Sequence, residues 1–93
     1  KSWGTLGTGE VEFDHPRSIV IKNDGKIYVS DCYNHRIQVL ENNGTFIRDW
    51  GSEGDGNGQF YYNNGITFDN SNNLYVADNN NHRIQKFTET GDF

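Results

Sequence analysis

Asp31-Cys32-Tyr33-Asn34-His35-Arg36-Ile37-Gln38-Val39-Leu40 is the stretch that decides the fold, because the chain repeats it. It returns 47 residues later as Asp78-Asn79-Asn80-Asn81-His82-Arg83-Ile84-Gln85-Lys86-Phe87. In both copies a polar loop that ends in Asn-His-Arg leads into a segment of alternating polar and apolar residues, which is typical of a strand. The chain therefore contains one structural unit twice.

The same shift aligns the rest of the chain without a gap. Residues 1–46 and 48–93 share 17 identities in 46 positions, and Trp3 falls on Trp50. An ungapped match of this length indicates tandem repeats rather than chance similarity. We therefore predict that residues 1–93 form two repeat units, copy one at about 1–46 and copy two at about 48–93.

The composition is typical of short strands joined by tight turns. The 93 residues include 11 Gly, and the mean hydropathy is −0.88. The net charge of −5 disfavours nucleic acid as a partner, because binding to phosphates depends on Lys and Arg. No apolar run approaches the roughly 18 residues of a membrane span, and no signal peptide stands at the start, so we expect no membrane association. Cys32 is the only cysteine, which excludes an intrachain disulfide.

Each copy is predicted to form four strands, the first of them short, apolar and buried on both faces. The predicted strands are 18–21, 26–31, 36–40 and 46–50 in copy one, and 65–69, 74–78, 83–87 and a strand that starts near residue 93 in copy two. Residues 1–4 are expected to be the tail of an outer strand. Four antiparallel strands per 40–50 residues, in tandem, indicate an all-β fold of β-propeller blades.

The repeat resembles the NHL repeat family. Its pattern here is Gly4-x-x-Gly7-x-Gly9-x-x-x-Phe13, then an inner strand, then Tyr-Val-Ser/Ala-Asp-x-x-Asn-His-Arg-Ile-Gln, and it covers nearly the whole chain. The signature triplet reads Asn-His-Arg in both copies. The family often has Pro then Gly before the inner strand. Copy one keeps Pro16 but has Ser18, whereas copy two keeps only the glycine, Gly65.

The resemblance implies a β-propeller, usually of six blades, but no single activity, because a fold does not define a function. Members of the family bind proteins, RNA or small ligands, and one branch is an amidating lyase. We favour a non-enzymatic scaffold that binds a protein or a small ligand and needs no cofactor or metal. The alternatives are a metal-dependent lyase and an RNA-binding domain.

Several residues look like catalytic material but recur at the blade period, which indicates a structural role in every blade. They are Asp31, Asn34, His35, Arg36, Asp78, Asn81, His82 and Arg83. We expect the Asp to accept from backbone N–H groups of the loop, and the Arg to pair with a carboxylate of the adjacent blade. No catalytic residue is assigned.

Binding residues are predicted in the loops between blades and in the loop that joins strands two and three, which share one face of a propeller. This face is expected to carry His15, Arg17, Tyr33, Tyr61, Tyr62, Asn64 and Asn80. Aromatic rings beside polar groups suit a protein or small-ligand site. His15 is the one histidine outside the repeat match, and we expect it to be a solvent-facing loop residue rather than a metal ligand.

Two blades alone would leave flat faces uncovered, so we predict a homotrimer that forms a six-bladed ring. Repeat units generally need at least three neighbours to bury a core, and cyclic symmetry covers identical faces with identical chains. By the repeat alignment, residues 91–93 of one chain and residues 1–4 of another would share one outer strand.

Overall fold

The computed structural model describes all 93 residues and contains two antiparallel sheets, one for each repeat. The first sheet, blade 1, has the strand order β3-β4-β5-β6, and the second, blade 2, has the order β7-β8-β9. A short parallel pair, β1 and β2, precedes blade 1. The strands are β1 Thr5–Leu6, β2 Glu12–Phe13, β3 Pro16–Ile21, β4 Ile27–Asp31, β5 Arg36–Leu40, β6 Phe46–Trp50, β7 Asn63–Phe68, β8 Leu74–Asp78 and β9 Arg83–Phe87.

The helical segments are two single 3-10 turns, Cys32–Asn34 and Asn79–Asn81, each between the second and third strands of its blade. His35 and His82 follow these turns with φ of 53° and 56°, in the left-handed region that closes a helical turn. The polar loop of the repeated stretch is therefore a capped turn. Neither turn is long enough for a bilayer to be crossed.

The hairpins follow from residues that accept positive φ. Gly25 adopts φ 91° between β3 and β4, and Asn72 takes the same place in blade 2 with φ 64°. Asn is one of the few non-glycine residues that tolerate this region, so the turn survives the replacement of Gly by Asn. Both hairpins then pair inner and second strands, with Ile21 opposite Ile27 and Phe68 opposite Leu74.

The main core lies between the two blades. We call the face of each blade that carries Tyr28 or Tyr75 its front face, and the opposite face its back face. The buried residues of the core come from the front face of blade 1 and the back face of blade 2. They are Tyr28, Ile37, Val39, Phe60, Leu74, Val76 and Phe87. The Tyr28 ring meets Phe68 edge-on at 4.8 Å, and the Tyr28 hydroxyl donates to the Glu89 carbonyl at 2.8 Å. Lys22 forms an ion pair with Glu89 across the same boundary. Hydrophobic burial and these polar contacts join the blades into one unit.

The first strand of blade 1 is not buried on both faces, contrary to the sequence-based expectation. Ile19 and Ile21 are 62% and 64% exposed, whereas Val20 packs against the main core. Alternate residues of a strand point to opposite faces, so one set contacts blade 2 and the other faces the side where no blade lies. The apolar run of β3 therefore supplies apolar side chains to both faces of blade 1. Blade 2 covers one of these faces, and the other is exposed.

The outer strand of blade 2 and the expected strand tail at the start of the chain are absent from the structure. Residues 88–93 and 1–4 lie in turn and irregular segments, so β9 has a free edge. Trp3 nevertheless packs over the turn at Gly44, as Trp50 packs over the turn at Gly91. Each tryptophan therefore occupies the same place relative to the blade that follows it.

Candidate functional site

The repeated Asp and Arg form the frame of the loop face, the end of the blades formed by residues 14–17, 32–35, 61–64 and 79–82. Asp31 is fully buried and accepts hydrogen bonds from the Asp14 N–H at 2.8 Å, Asn34 Nδ2 at 3.0 Å and Arg36 Nε at 2.7 Å. Arg36 also donates to the carbonyls of Thr8, Gly9 and Glu12. These contacts clamp the glycine-rich loop onto its own blade.

Blade 2 builds the same frame around Asp78. This buried carboxylate accepts from the Tyr61 N–H at 2.8 Å, Asn81 Nδ2 at 3.0 Å and Arg83 Nε at 2.8 Å. Burial raises the pKa of Asp78, but the hydrogen bonds and the Arg83 charge outweigh it and lower the pKa below its usual value. The carboxylate therefore stays ionised.

The expected pairing of each Arg with the adjacent blade is wrong. Arg36 pairs with Asp31 and, at 3.3 Å, with Asp49, and both lie in its own blade. Arg83 likewise pairs with Asp78 of blade 2. The strand register explains this pairing. In each blade the Asp at the end of the second strand lies directly opposite the Arg at the start of the third strand.

A cavity of about 230 Å³ opens on the loop face at the boundary between the blades. Its lining combines phenol rings, side-chain amides, a guanidinium and a thiol. The residues are Arg17, Cys32, Tyr33, Tyr62, Asn64, Asn79 and Asn80. Both blades contribute, so the cavity depends on how the blades pack.

Backbone contacts hold the two 3-10 turns in place beside this cavity. The Tyr33 N–H donates to the Asp14 carbonyl at 3.0 Å, and the Asn80 N–H donates to the Tyr61 carbonyl at 3.0 Å. Each turn is therefore tied to the loop that enters its own blade. The side chains at positions 33 and 80 are presented from a fixed backbone, which lowers the entropy cost of binding.

His15 and Tyr62 occupy equivalent positions and both adopt the left-handed region, with φ of 57° and 58°. This conformation is uncommon for residues other than glycine and often marks a functional segment. The Tyr62 N–H donates to His35 Nδ1 of blade 1 at 2.9 Å, which supports the conformation. The unusual backbone of Tyr62 is therefore part of the contact between blades.

A continuous aromatic surface lies at the rim of the cavity. The His15 ring stacks on Tyr33 at 3.9 Å, and Tyr33 meets Tyr62 at 5.1 Å. Tyr61 contacts Tyr62 at 5.0 Å and stacks parallel to His35 at 5.8 Å. Such a surface offers apolar contact area with polar edges, as ligand sites commonly do.

Arg17 is the one cationic side chain that lines the cavity. Arg17 is exposed and forms no ion pair in the structure, unlike Arg36 and Arg83. Desolvation raises the pKa of Tyr62, so its hydroxyl stays protonated and can donate a hydrogen bond. Burial likewise raises the pKa of the Cys32 thiol, although the Arg17 charge opposes the shift. The cavity thus combines one cationic donor with hydroxyl and amide groups that both donate and accept.

The structure brings most of the predicted binding residues together. Arg17, Tyr33, Tyr62, Asn64 and Asn80 all line the cavity. His15 and Tyr61 lie beside it, through ring contacts with the lining tyrosines. Sequence reasoning missed two further lining residues, Cys32 and Asn79. They occupy equivalent positions in the repeat, next to residues that were selected, and this equivalence was the available signal.

The remaining acidic and histidine side chains form no group of three or more that could hold a metal ion. His35 Nε2 lies 3.3 Å from Glu53, and His15 Nδ1 lies 2.7 Å from Asp14. The two pairs share no residue.

A family model described as the NHL repeat matches residues 13–40 and 60–87, together more than half of the chain. The chain is 39% identical over 44 residues to the B-box type zinc finger protein ncl-1 of Caenorhabditis elegans, which is 47% of this chain and 5% of that protein. It is 47% identical over 32 residues to Protein SUPPRESSOR OF QUENCHING 1, chloroplastic, of Arabidopsis thaliana, which is 34% of this chain and 3% of that protein. The chain thus matches only a small part of each relative.

Proposed function

The chain belongs to the NHL repeat family, and on that premise we propose that it is a non-enzymatic scaffold of β-propeller blades that binds a protein or small-molecule ligand at its loop face. The observation that carries the proposal is the cavity between Tyr33 and Tyr62, which both blades build and the aromatic surface flanks. A scaffold function agrees with the two buried Asp–Arg pairs, whose hydrogen bonds are used within the blades.

The chemistry of the cavity favours a ligand group that is flat and anionic. Arg17 offers a planar guanidinium without a carboxylate partner, which suits a bidentate contact with a carboxylate. Tyr33 and Tyr62 offer ring surface, and Asn64 and Asn80 offer amide donors and acceptors. An aromatic carboxylate, whether a free molecule or an aromatic residue at the C-terminus of a peptide, uses all of these groups.

We also propose that three copies close into a six-bladed ring. Large apolar side chains are exposed on the two outer faces of the blade pair, with Ile19 at 62% and Ile84 at 67%. Exposed apolar surface of this kind marks an interaction site. The family's usual blade number selects three chains of two blades.

Titration of isotope-labelled protein with benzoate, followed by NMR, tests the binding site. We expect shift changes to cluster at Arg17, Tyr33, Tyr62 and Asn64, because the carboxylate reaches the guanidinium while the ring stacks on tyrosine. Arg17→Gln should weaken binding about tenfold or more, which is the loss of one charge-assisted hydrogen-bonded contact. The titration gives the dissociation constant directly.

Arg48→Gln is the matched control, since Arg48 is also exposed, forms no ion pair and lies away from this cavity on β6. It should bind benzoate as the unmodified protein does. Shift changes that cluster elsewhere, or equal losses in both variants, would contradict the proposed site.

A further inference from the structure

We propose that the back face of blade 1 and the front face of blade 2 are partner surfaces, which mate between two copies of this chain in the register of the internal blade contact. This inference rests on the proposed ring and adds to it which residues meet. The back face of blade 1 in one copy would thus be covered by the front face of blade 2 in a second copy.

The two outer faces hold cavities that correspond to the two halves of the internal contact. The back face of blade 1 has a cavity of about 350 Å³, lined by Trp3, Phe13, Pro16, Arg17, Ser18, Ile19, Ile27, Val29 and Leu40. The front face of blade 2 has one of about 330 Å³, lined by Gly65, Ile66, Thr67, Tyr75, Ala77 and Ile84. By the 47-residue repeat, Phe13, Ile27, Val29 and Leu40 stand where Phe60, Leu74, Val76 and Phe87 pack in the internal core.

The front face of blade 2 matches in the same way. Tyr75 and Ile84 stand where Tyr28 and Ile37 form the blade 1 side of the internal core. Tyr28 contacts Phe68 at 4.8 Å, and the equivalent contact between copies joins Tyr75 to Ile21. Ile21 and Ile84, at 64% and 67% exposed, would both be covered.

One pair of replacements argues that these two faces meet each other. Inside the chain, the buried amide of Asn63 in blade 2 donates to the Ser30 hydroxyl at 2.7 Å and to the Arg36 carbonyl at 3.0 Å, both in blade 1. The equivalent residues on the outer faces are Pro16 and Ala77, so donor and acceptor are lost together. Loss of the Asn alone would leave the buried serine hydroxyl without its donor, at a cost in association, whereas loss of the Ser alone would still leave the amide its carbonyl acceptor. Unrelated partners would not require the two changes to match.

A second pair of replacements avoids a charge conflict at the same boundary. The internal ion pair joins Lys22 to Glu89. At the equivalent positions the outer faces carry Asn42, an uncharged amide, and Asp69, whose carboxylate already accepts four hydrogen bonds from its own blade. No like charges are brought together, and no buried charge is left against an apolar group.

Trp3 and the free edge of β9 extend the match to the outer strands. In blade 1, β6 pairs with β5 so that Trp50 lies opposite Ile37. The same register on β9 places Trp3 of the next copy opposite Ile84. Trp3 already packs over Gly44 as Trp50 packs over Gly91, so it stands where this pairing needs it.

A double-substitution cycle tests the register. Pro16→Asn and Ala77→Ser each copy the residue of the other repeat, so both are compatible with the fold. Ala77→Ser alone should raise the protein concentration at half-assembly by about fivefold or more, because it buries a hydroxyl without its donor, whereas Pro16→Asn alone keeps the carbonyl acceptor equivalent to that of Arg36 and should weaken assembly less. Together they recreate the internal pair of Asn63 and Ser30, and assembly should return to within a few-fold of the unmodified chain. Sedimentation over a dilution series measures this.

Mixed samples provide a readout that needs no substitution. Chains with labelled Ile methyl groups are combined with unlabelled chains, and nuclear Overhauser contacts between copies are recorded. The register predicts a contact from Ile21 to the Tyr75 ring. If the chain assembles, the two substitutions have additive effects on assembly and no contact between Ile21 and Tyr75 is seen, the proposed register is wrong. That result would not contradict the ring itself. An unmodified chain that stays a folded monomer would overturn both the ring and this inference, and would leave the benzoate site unaffected.

Discussion

Asp31 and Asp78 show how a recurring residue can look catalytic and be structural. Each carboxylate is fully buried and accepts hydrogen bonds from a backbone N–H, an Asn amide and an Arg side chain. The sequence predicted the backbone contact from the repeat itself, because every blade needs its loop fixed. It did not predict the partner of Arg36, since the opposite placement of Asp and Arg depends on the strand register.

Replacement of Asp31 by Ala should lower the free energy of unfolding by about 1–3 kcal/mol, because buried donors lose their acceptor. Asp78→Ala should cost a similar amount. Chemical denaturation at one fixed protein concentration measures both, since assembly links stability to concentration. Asp49→Ala is the control, because it removes the exposed second partner of Arg36, and it should change stability by about 0.5 kcal/mol or less. Equal stability of Asp31→Ala and the unmodified chain would remove the structural assignment.

Asp69 should make the fold sensitive to acid. Hydrogen bonds, first from the Asn73 N–H and then from its side chain, the Ser71 N–H and the Tyr75 hydroxyl, lower its pKa to about 2. The unfolded chain has the ordinary value of about 3.9, so it binds more protons at intermediate pH. The stabilisation is therefore complete above about pH 5 and is lost as the pH falls towards 2. Asp69→Asn should flatten this part of the stability profile, and an unchanged slope would contradict the contribution.

At the scale of the elements, the second and third strands of both blades and β6 were predicted closely, because their alternation and turn residues are local signals. The inner strand β3 was misjudged, since an apolar run does not tell whether a neighbour covers one face or two. The outer strand of blade 2 was also expected and is not formed, because residues 88–93 form a turn and an irregular segment after β9. The residues that line the loop-face cavity could be predicted as a group because the loops of a blade collect at one end.

Trp3 and Trp50 allow the contact between blades to be tested. Trp50 packs against Phe87 at 5.7 Å, and we expect Trp50→Ala to cost about 2–4 kcal/mol at any protein concentration, in the lower part of the range for large core residues. Trp3 is 40% exposed, and the proposed ring would add contacts to it from a second copy. Trp3→Ala should therefore be mild at high dilution and costly under assembling conditions. Equal effects of Trp3→Ala at both concentrations would contradict this difference.

At the scale of the whole molecule, the two blades leave one apolar face exposed on each side. Blade 1 exposes Ile19 and Ile21, and blade 2 exposes Ile84 and the edge of β9. By the repeat, each exposed face corresponds to a surface that is buried in the contact between blades 1 and 2. The proposed closed ring would cover all of them with a single kind of contact.

The mass of the unmodified chain in solution, measured by light scattering after size exclusion, tests this account most directly. We predict a species of three times the 10.6 kDa chain mass. The Ile84→Asp variant is the control, because a charge on the front face of blade 2 should prevent closure and yield smaller species. A folded, stable species at one chain mass for the unmodified protein would contradict the ring.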